Sequence, residues 1–440
     1  MRAAVRMWWL LRRRSAGRSD PQGLTTVLAL VAFAVTTAVL LVVLGGLGAL
    51  LDRAAAAAPG SSATSYPLLA GTATALLAVP LLTLGGAASR LAVARRDSRL
   101  AALRLAGATT GQVSLLTILD AAAQALAGAL IGVVGHLGLL PAVMQLRFQG
   151  RAFDLGELLV PWWMVPAAVA AVVAVSVASA VTSLRTVAIS PLGVAARVSP
   201  KGLHWSRVLP LGVTAAAFVV MFSLGLAEVA VLIALVVVGF ATLNVIGPFV
   251  MSLIGRVTLR RARGPATLIA ARRVLDSPKT AWRSVGGVAL ATFVAGLTTA
   301  SAMFDAGRAA DPAEAQLLAD LATGGFLTLG IAGILAAVST AVMQAGRVID
   351  QRGEYRALHL AGTDLRVLDA ARVRETTIPL LAAVALSGAA ASVFLLPAFG
   401  LTLLTSVPVM VQLVLCVSAA VLLVLVGTLT SRRVVRTVLA

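Results

Sequence analysis

Arg95–Leu126 reads RRDSRLAALRLAGATTGQVSLLTILDAAAQAL, and an altered copy, QRGEYRALHLAGTDLRVLDAARVRETTIPLL, runs from Gln351 to Leu381. Each copy leaves an apolar run, crosses a short charged segment, turns at Leu-Ala-Gly and re-enters an apolar run. The shared core is Leu103-x-Leu105-Ala106-Gly107 in the first copy and Leu358-x-Leu360-Ala361-Gly362 in the second. Gly107 and Gly362 suit the position just past a helix C-terminus, where the left-handed conformation costs glycine nothing. Thr109-Thr110-Gly111-Gln112 then spells a Ser/Thr-x-x-Gln capping box, and Thr363 or Asp364 caps the matching helix of the second copy. The pattern predicts a short helix, capped at its end, lying between two longer apolar helices.

Those longer runs decide the medium. The 440 residues are 59% hydrophobic and only 12% charged, with a mean hydropathy of +0.98, far more apolar than a soluble domain. One cysteine, Cys416, lies inside an apolar run, which excludes a disulfide framework and a thiolate metal site. Ten runs approach the length of about 20 apolar residues that a spanning helix needs: 24–51, 67–91, 112–140, 161–182, 208–226, 228–254, 284–303, 317–346, 376–398 and 407–430. The first exceeds the roughly 7–15 residues of a signal-peptide core, so it reads as an uncleaved span despite its Arg-rich flank. The expected fold is an all-α integral membrane protein.

Basic residues set the topology. With the N-terminus inside, only Arg53, Arg147, Arg151 and Arg308 of the 36 Lys and Arg residues fall outside. Both termini are then cytoplasmic. The net charge of +19 records that asymmetry beside anionic lipid and is not a nucleic-acid footprint. The outer loops are too short for folded domains, and Phe148, Phe153, Trp162 and Trp163 suit the membrane interface. Asp311-Pro312-Ala313-Glu314 reads as a helix start with Pro in the first helical position.

The duplication reaches beyond the two elbows. Asp20-Pro21 and Ser277-Pro278 lie 257 residues apart, Gly107 and Gly362 255, and Arg185-Thr186-Val187 and Arg436-Thr437-Val438 251. Two parallel four-helix repeats follow, residues 1–200 and 264–440, joined by a two-helix hairpin within 201–263.

With these residues in view, the chain resembles the FtsX-like, or MacB-type, permease family of ABC transporters. The family stretch runs Arg-Glu-Ile-x-x-Leu-Arg-Ala-Leu-Gly-Ala-Thr. Leu103-Arg104-Leu105-Ala106-Gly107-Ala108-Thr109 matches it, followed by the acid Asp120. The second copy keeps Glu354, Leu358, Gly362 and the acid Glu375, whereas Arg99 replaces the Glu of the first copy and His359 the Arg of the second. The resemblance implies coupling helices that dock into a separate cytoplasmic ABC ATPase, present in two copies, in a bacterial plasma membrane. Their contact residues are Arg99, Leu100, Leu103, Arg104 and Gly107 in one elbow, and Glu354, Tyr355, Leu358, His359 and Gly362 in the other. Many family members carry a large extracytoplasmic domain, and this chain has none.

The chain itself holds no catalytic machinery. It has no G-x-x-x-x-G-K-[ST] phosphate loop, and its only lysines are Lys201 and Lys279, so no cofactor is expected here and ATP belongs to the partner. Asp120 and Glu375, at the cytoplasmic edge of the membrane, are either transport-path carboxylates or structural anions near a helix start or a cytoplasmic Arg. His136 stands alone and reads as a packed histidine. The expected function is the permease subunit of an ATP-driven transporter, exporting a lipid-like or amphipathic cargo. Two alternatives stand beside it. An ion-coupled transporter wants midplane charges that the spans lack, and a non-transporting regulator wants more outer surface than the short loops supply.

Overall fold

A computed structural model describes residues 21–58, 62–94, 109–188, 205–225, 228–299, 312–350, 357 and 360–400, with scattered positions between 405 and 422. Eleven α-helices occur among them: α1 Pro21–Ala55, α2 Tyr66–Ala94, α3 Thr110–Val143, α4 Leu155–Leu158, α5 Met164–Ala188, α6 Leu209–Ser223, α7 Val229–Arg260, α8 Pro265–Asp276, α9 Pro278–Thr299, α10 Pro312–Asp350 and α11 Leu365–Phe399. A two-stranded hairpin, β1 Arg147–Phe148 and β2 Arg151–Ala152, interrupts them. Prolines open α1, α8, α9 and α10, as suits a position whose N–H has no helical partner. Glu228 occupies the N-cap of α7 without a side-chain hydrogen bond to it.

Seven of the helices are long and apolar enough to cross a membrane: α1, α2, α3, α5, α7, α10 and α11. The chain is an all-α, multi-pass membrane protein. The expected ten spans are not reached among the described residues; two of the three shortfalls have a local cause and the third falls largely outside those residues. Helix α6 has only 15 residues, about 22 Å of helix against a hydrocarbon core of about 30 Å. Helix α9 carries Lys279 and Arg283 in its first turns, so its apolar stretch begins at Ser284. Most of 407–430 lies outside the described residues.

Helix α1 packs against α2 and α3, and α9 packs against α10 and α11. The two sets meet where α2 lies along α10. Helix α9 is the most enclosed element: Val288, Ala289, Leu290, Ala291, Phe293, Val294 and Ala295 are all buried. A helix that is small and apolar on every side has no face to present to water and is covered all round. Helices α6 and α7 clamp this centre through aromatic rings. Phe218 meets Phe394 edge-on at 4.9 Å, Phe394 meets Phe293 at 6.0 Å, and Phe240 lies 5.5 Å from Phe293.

Candidate functional site

The elbow caps form as their residues require. Gln112 N–H donates to Thr109 Oγ1 at 3.3 Å and Thr109 N–H to Gln112 Oε1 at 3.0 Å, a complete capping box at the start of α3. In the second elbow, Ala361 N–H closes a last turn on Ala357 O at 2.9 Å. Gly362 then adopts φ +89°, a conformation that glycine enters without strain. Asp364 caps α11, its carboxylate accepting from Arg366 N–H at 3.0 Å. Leu360 stands 78% exposed beside this turn. Arg99, Leu100, Leu103, Arg104 and Gly107, and Glu354, Tyr355, Leu358 and His359, lie outside the described residues.

Asp120 and Glu375 are each the eleventh residue of their helix, α3 and α11. Asp120 is half-buried. Glu375 is buried, and its Oε2 lies 3.3 Å from Arg273 Nη1 on α8. The pairing ties α8 to the helix leaving the second elbow. His136 is buried in α3 with neither ring nitrogen hydrogen-bonded among the described residues.

At the opposite end of the bundle, sequence inspection overlooks a built site. A cavity of about 340 Å³ opens between the two sets of helices, with Leu50, Leu77, Ile233, Val294 and Leu321 in its wall. Its mouth is covered by the hairpin. Gln149 and Gly150 have φ +58° and +74°, the two left-handed residues of a type I′ turn. The cross-strand pairs are Arg147 with Ala152 and Phe148 with Arg151. Phe148 and Phe153, 5.6 Å apart, point down and line the cavity. Both are buried, which corrects their expected place at the lipid interface, whereas Trp162 and Trp163 are exposed there. The phenyl rings gain more by closing an apolar cavity than by lying among headgroups.

Two polar knots hold this cover. Asp320 of α10 is 4% exposed and accepts from Tyr66 Oη of α2 at 2.5 Å, from Gln149 N–H at 2.7 Å and from Gln316 Nε2 at 2.9 Å. One carboxylate thus joins α2, α10 and the hairpin. Arg53 of α1 donates from Nη1 to Phe148 O at 3.0 Å, from Nη2 to Ala152 O at 2.9 Å, and from Nε and Nη2 to Glu157 of α4 at 3.2 and 2.5 Å. Its guanidinium also lies 4.4 Å from the centre of the Phe153 ring. A buried guanidinium needs its donors used, and this one is spent on two carbonyls and a carboxylate. Arg53 and Asp320 were legible only as an outside Arg and as an acid near the end of an apolar run; Tyr66 and Glu157 carried no signal of their own.

The hydrogen bonds from Arg53 hold the Glu157 carboxyl below its ordinary pKa, against a desolvation that pushes it up. A depressed folded pKa stabilises at pH values above the unfolded value of 4.5 and is lost as pH falls through the folded one. Acidification below 4.5 is therefore expected to loosen the hairpin, seen as lower amide protection factors at 147–152, and Glu157→Gln to abolish that pH dependence. Protection factors that stay flat with pH in the wild type would count against this latch.

Residues 71–191, which span most of α2 and all of α3, the hairpin, α4 and α5, match the family model for the FtsX-like permease C-terminal domain. No curated protein and no solved structure matches the chain. The chain is a multi-pass membrane protein in which residues 71–191 are similar to the FtsX-like permease C-terminal domain.

Proposed function

We propose that this chain is the membrane subunit of an ATP-binding cassette transporter and that a separate cytoplasmic ATPase, in two copies, drives it through the two elbows. The supporting observation is the pair of capped turns at Thr109 and Asp364, each leading into a helix that packs on the first helix of its own set. A helix capped at its first turn is stiff there, so force applied at the two caps reaches α3 and α11 without being absorbed. Leu360, 78% exposed at the second turn, offers an apolar contact there.

The cargo, in this proposal, is lipid-like or amphipathic and leaves from the cytoplasmic toward the outer side. The cavity wall is mostly apolar, and its polar side chains are Tyr66, Thr72, Thr74, Thr298, Asp320 and Thr328. Such a chamber gives an acyl chain or an apolar peptide segment a dry environment while a polar head stays at the mouth. Chain units 1–200 and 264–440 act as the two parallel halves, with 201–263 as connector, and the seam between α2 and α10 is where they part.

The test is association with whatever cytoplasmic ABC ATPase co-purifies with the wild-type chain from its native membrane. Leu103→Asp and Leu358→Asp each place a charge on the apolar stripe of an elbow. Each variant is expected to lose at least about tenfold of the co-purified ATPase while the membrane bundle keeps its melting temperature. Co-purification of both variants at wild-type yield would sink the assignment.

A further inference from the structure

The corner where α7 meets α8 carries an unusual concentration of unpartnered positive charge. Arg256, Arg260, Arg261, Arg263 and Arg272 are all exposed. None of the five makes a hydrogen bond or ion pair among the described residues. No Asp or Glu occurs between Glu228 and Asp276. Helix α9, which also packs on this corner, contains no acid. The acids of α11 are engaged elsewhere: Asp364 caps its own helix, Asp369 lies 3.9 Å from Arg372, and Glu375 holds Arg273. Like charges crowded on one corner repel, so the arrangement is favourable only with an anion from outside the chain.

The surroundings say which anion. Helix α7 runs 32 residues. At about 1.5 Å per residue it measures about 48 Å, against a hydrocarbon core of about 30 Å. Its last turns therefore lie at headgroup depth, at the end of the bundle opposite the hairpin. Exposed apolar side chains alternate with the arginines on this face: Leu253, Arg256, Val257 and Arg260 form one helical stripe, and Leu268 and Arg272 lie at i and i+4 on α8. A soluble acidic partner has no use for those apolar positions, whereas a phospholipid fills both kinds. A helix C-terminus favours a cation in its last turn, but Arg263 lies past the C-cap of α7 and Arg272 lies ahead of the last turn of α8. The general excess of basic residues on one side of a membrane does not require them to interleave with exposed Leu and Val.

We propose that this corner is a binding site for an anionic glycerophospholipid, its phosphate held by Arg256, Arg260, Arg261 and Arg263 and its acyl chains against Leu253, Val257 and Leu268. Arg272 closes the site from α8. The lipid sits on the hinge between the connector and α8, the helix that the Arg273–Glu375 pair ties to α11. A bound anion relieves the repulsion that would otherwise push the α7 end and α8 apart.

The experiment uses the full chain in detergent, offered equimolar phosphatidylglycerol and phosphatidylcholine, with bound lipid counted by native mass spectrometry. The wild type is expected to retain the anionic lipid at least about tenfold over the zwitterionic one. The quadruple variant R256Q/R260Q/R261Q/R263Q should bring that preference to within about twofold, and the matching quadruple Lys variant should restore most of it. If the Gln quadruple does not fold, R256Q and R263Q alone serve, each expected to lower the preference about 1.5- to twofold. Equal retention of the two lipids by the wild type, or an unchanged preference in the Gln variants, overturns the site. Displacement of the lipid by millimolar inorganic phosphate also overturns it, because the apolar stripe would then contribute nothing.

Discussion

Asp320→Ala is expected to free the hairpin from α10 and to lower stability by about 3 kcal/mol. The carboxylate is 4% exposed and receives three donors from three different elements. Removing it strands the Tyr66 hydroxyl and the Gln149 amide, and a stranded buried donor costs about 1–3 kcal/mol. Asp320→Asn is milder. Its amide oxygen still meets Tyr66 and Gln149, and Gln316 turns its own amide to accept from the new NH₂, so only charge assistance is lost, about 1 kcal/mol. Tyr66→Phe deletes a single donor and should cost a similar amount. The order Ala well above Asn and Phe is diagnostic, because a merely local contact to Tyr66 would make Asp320→Ala and Tyr66→Phe equal. Amide exchange at 147–152 and thiol labelling of a Thr298→Cys reporter in the cavity wall should both accelerate in Asp320→Ala. If exchange speeds up but labelling does not, the hairpin is no cover for the cavity.

What could be anticipated from residues alone was what is decided locally. Thr109 and Gln112, or Asp364 and Arg366, are at most three positions apart, and the capping chemistry needs nothing else. Pro312 announced the start of α10 in the same way. The cavity and its cover depend instead on pairs far apart in the chain, such as Tyr66 with Asp320 and Arg53 with Glu157. Each of those residues taken singly has an ordinary explanation. The hairpin was further hidden because Gln-Gly is a weak type I′ signal beside Asn-Gly or Asp-Gly. Phe148 and Phe153 showed the limit of composition: an aromatic near a membrane end suits either headgroups or a buried wall, and only the path of the chain decides.

Helix contacts show the same limit. The adjacent glycine pairs, Gly45-Gly46, Gly85-Gly86 and Gly324-Gly325, look like the sites of closest approach. A Cβ on Gly45 would lie 2.5 Å from Leu158 O and one on Gly325 would overlap Thr298 Cγ2, whereas one on Gly46 would meet nothing within 4 Å and one on Gly85 only Val175, at 3.8 Å. Between α1 and α3 the tight contact is at Gly128 and Gly132, one turn apart on α3 and in no adjacent pair. In the second set the corresponding close approach, α9 to α11, places its glycine on the first helix, Gly296, against Ala391. Equivalent packing achieved with the small residue on opposite partners leaves no trace in an alignment of the two halves.

The largest destabilisation is therefore expected from Gly132→Leu. A Cβ there would lie 2.5 Å from Ala34 O, 2.7 Å from Thr37 Cβ and 3.1 Å from Ala34 Cα. Two of these three atoms belong to the α1 backbone, which cannot rotate away as a side-chain tip can. Even Gly132→Ala should cost about 1–3 kcal/mol, and the longer leucine more, because α1 must move away bodily from a helix it lies along for several turns. Gly128→Ala, facing Phe33 Cβ at 2.6 Å and Leu30 O at 2.9 Å, should behave like Gly132→Ala. The control lies on the same helix. Gly138 is exposed and a Cβ there would meet nothing within 4 Å, so Gly138→Ala should stabilise by up to about 1 kcal/mol through helix propensity alone. Thermal unfolding followed by size exclusion separates the two outcomes by sign, with Gly132→Leu melting far below the wild type and Gly138→Ala at or above it. Equal melting of Gly132→Leu and Gly138→Ala would mean that α1 and α3 do not approach as closely as the carbonyl of Ala34 demands.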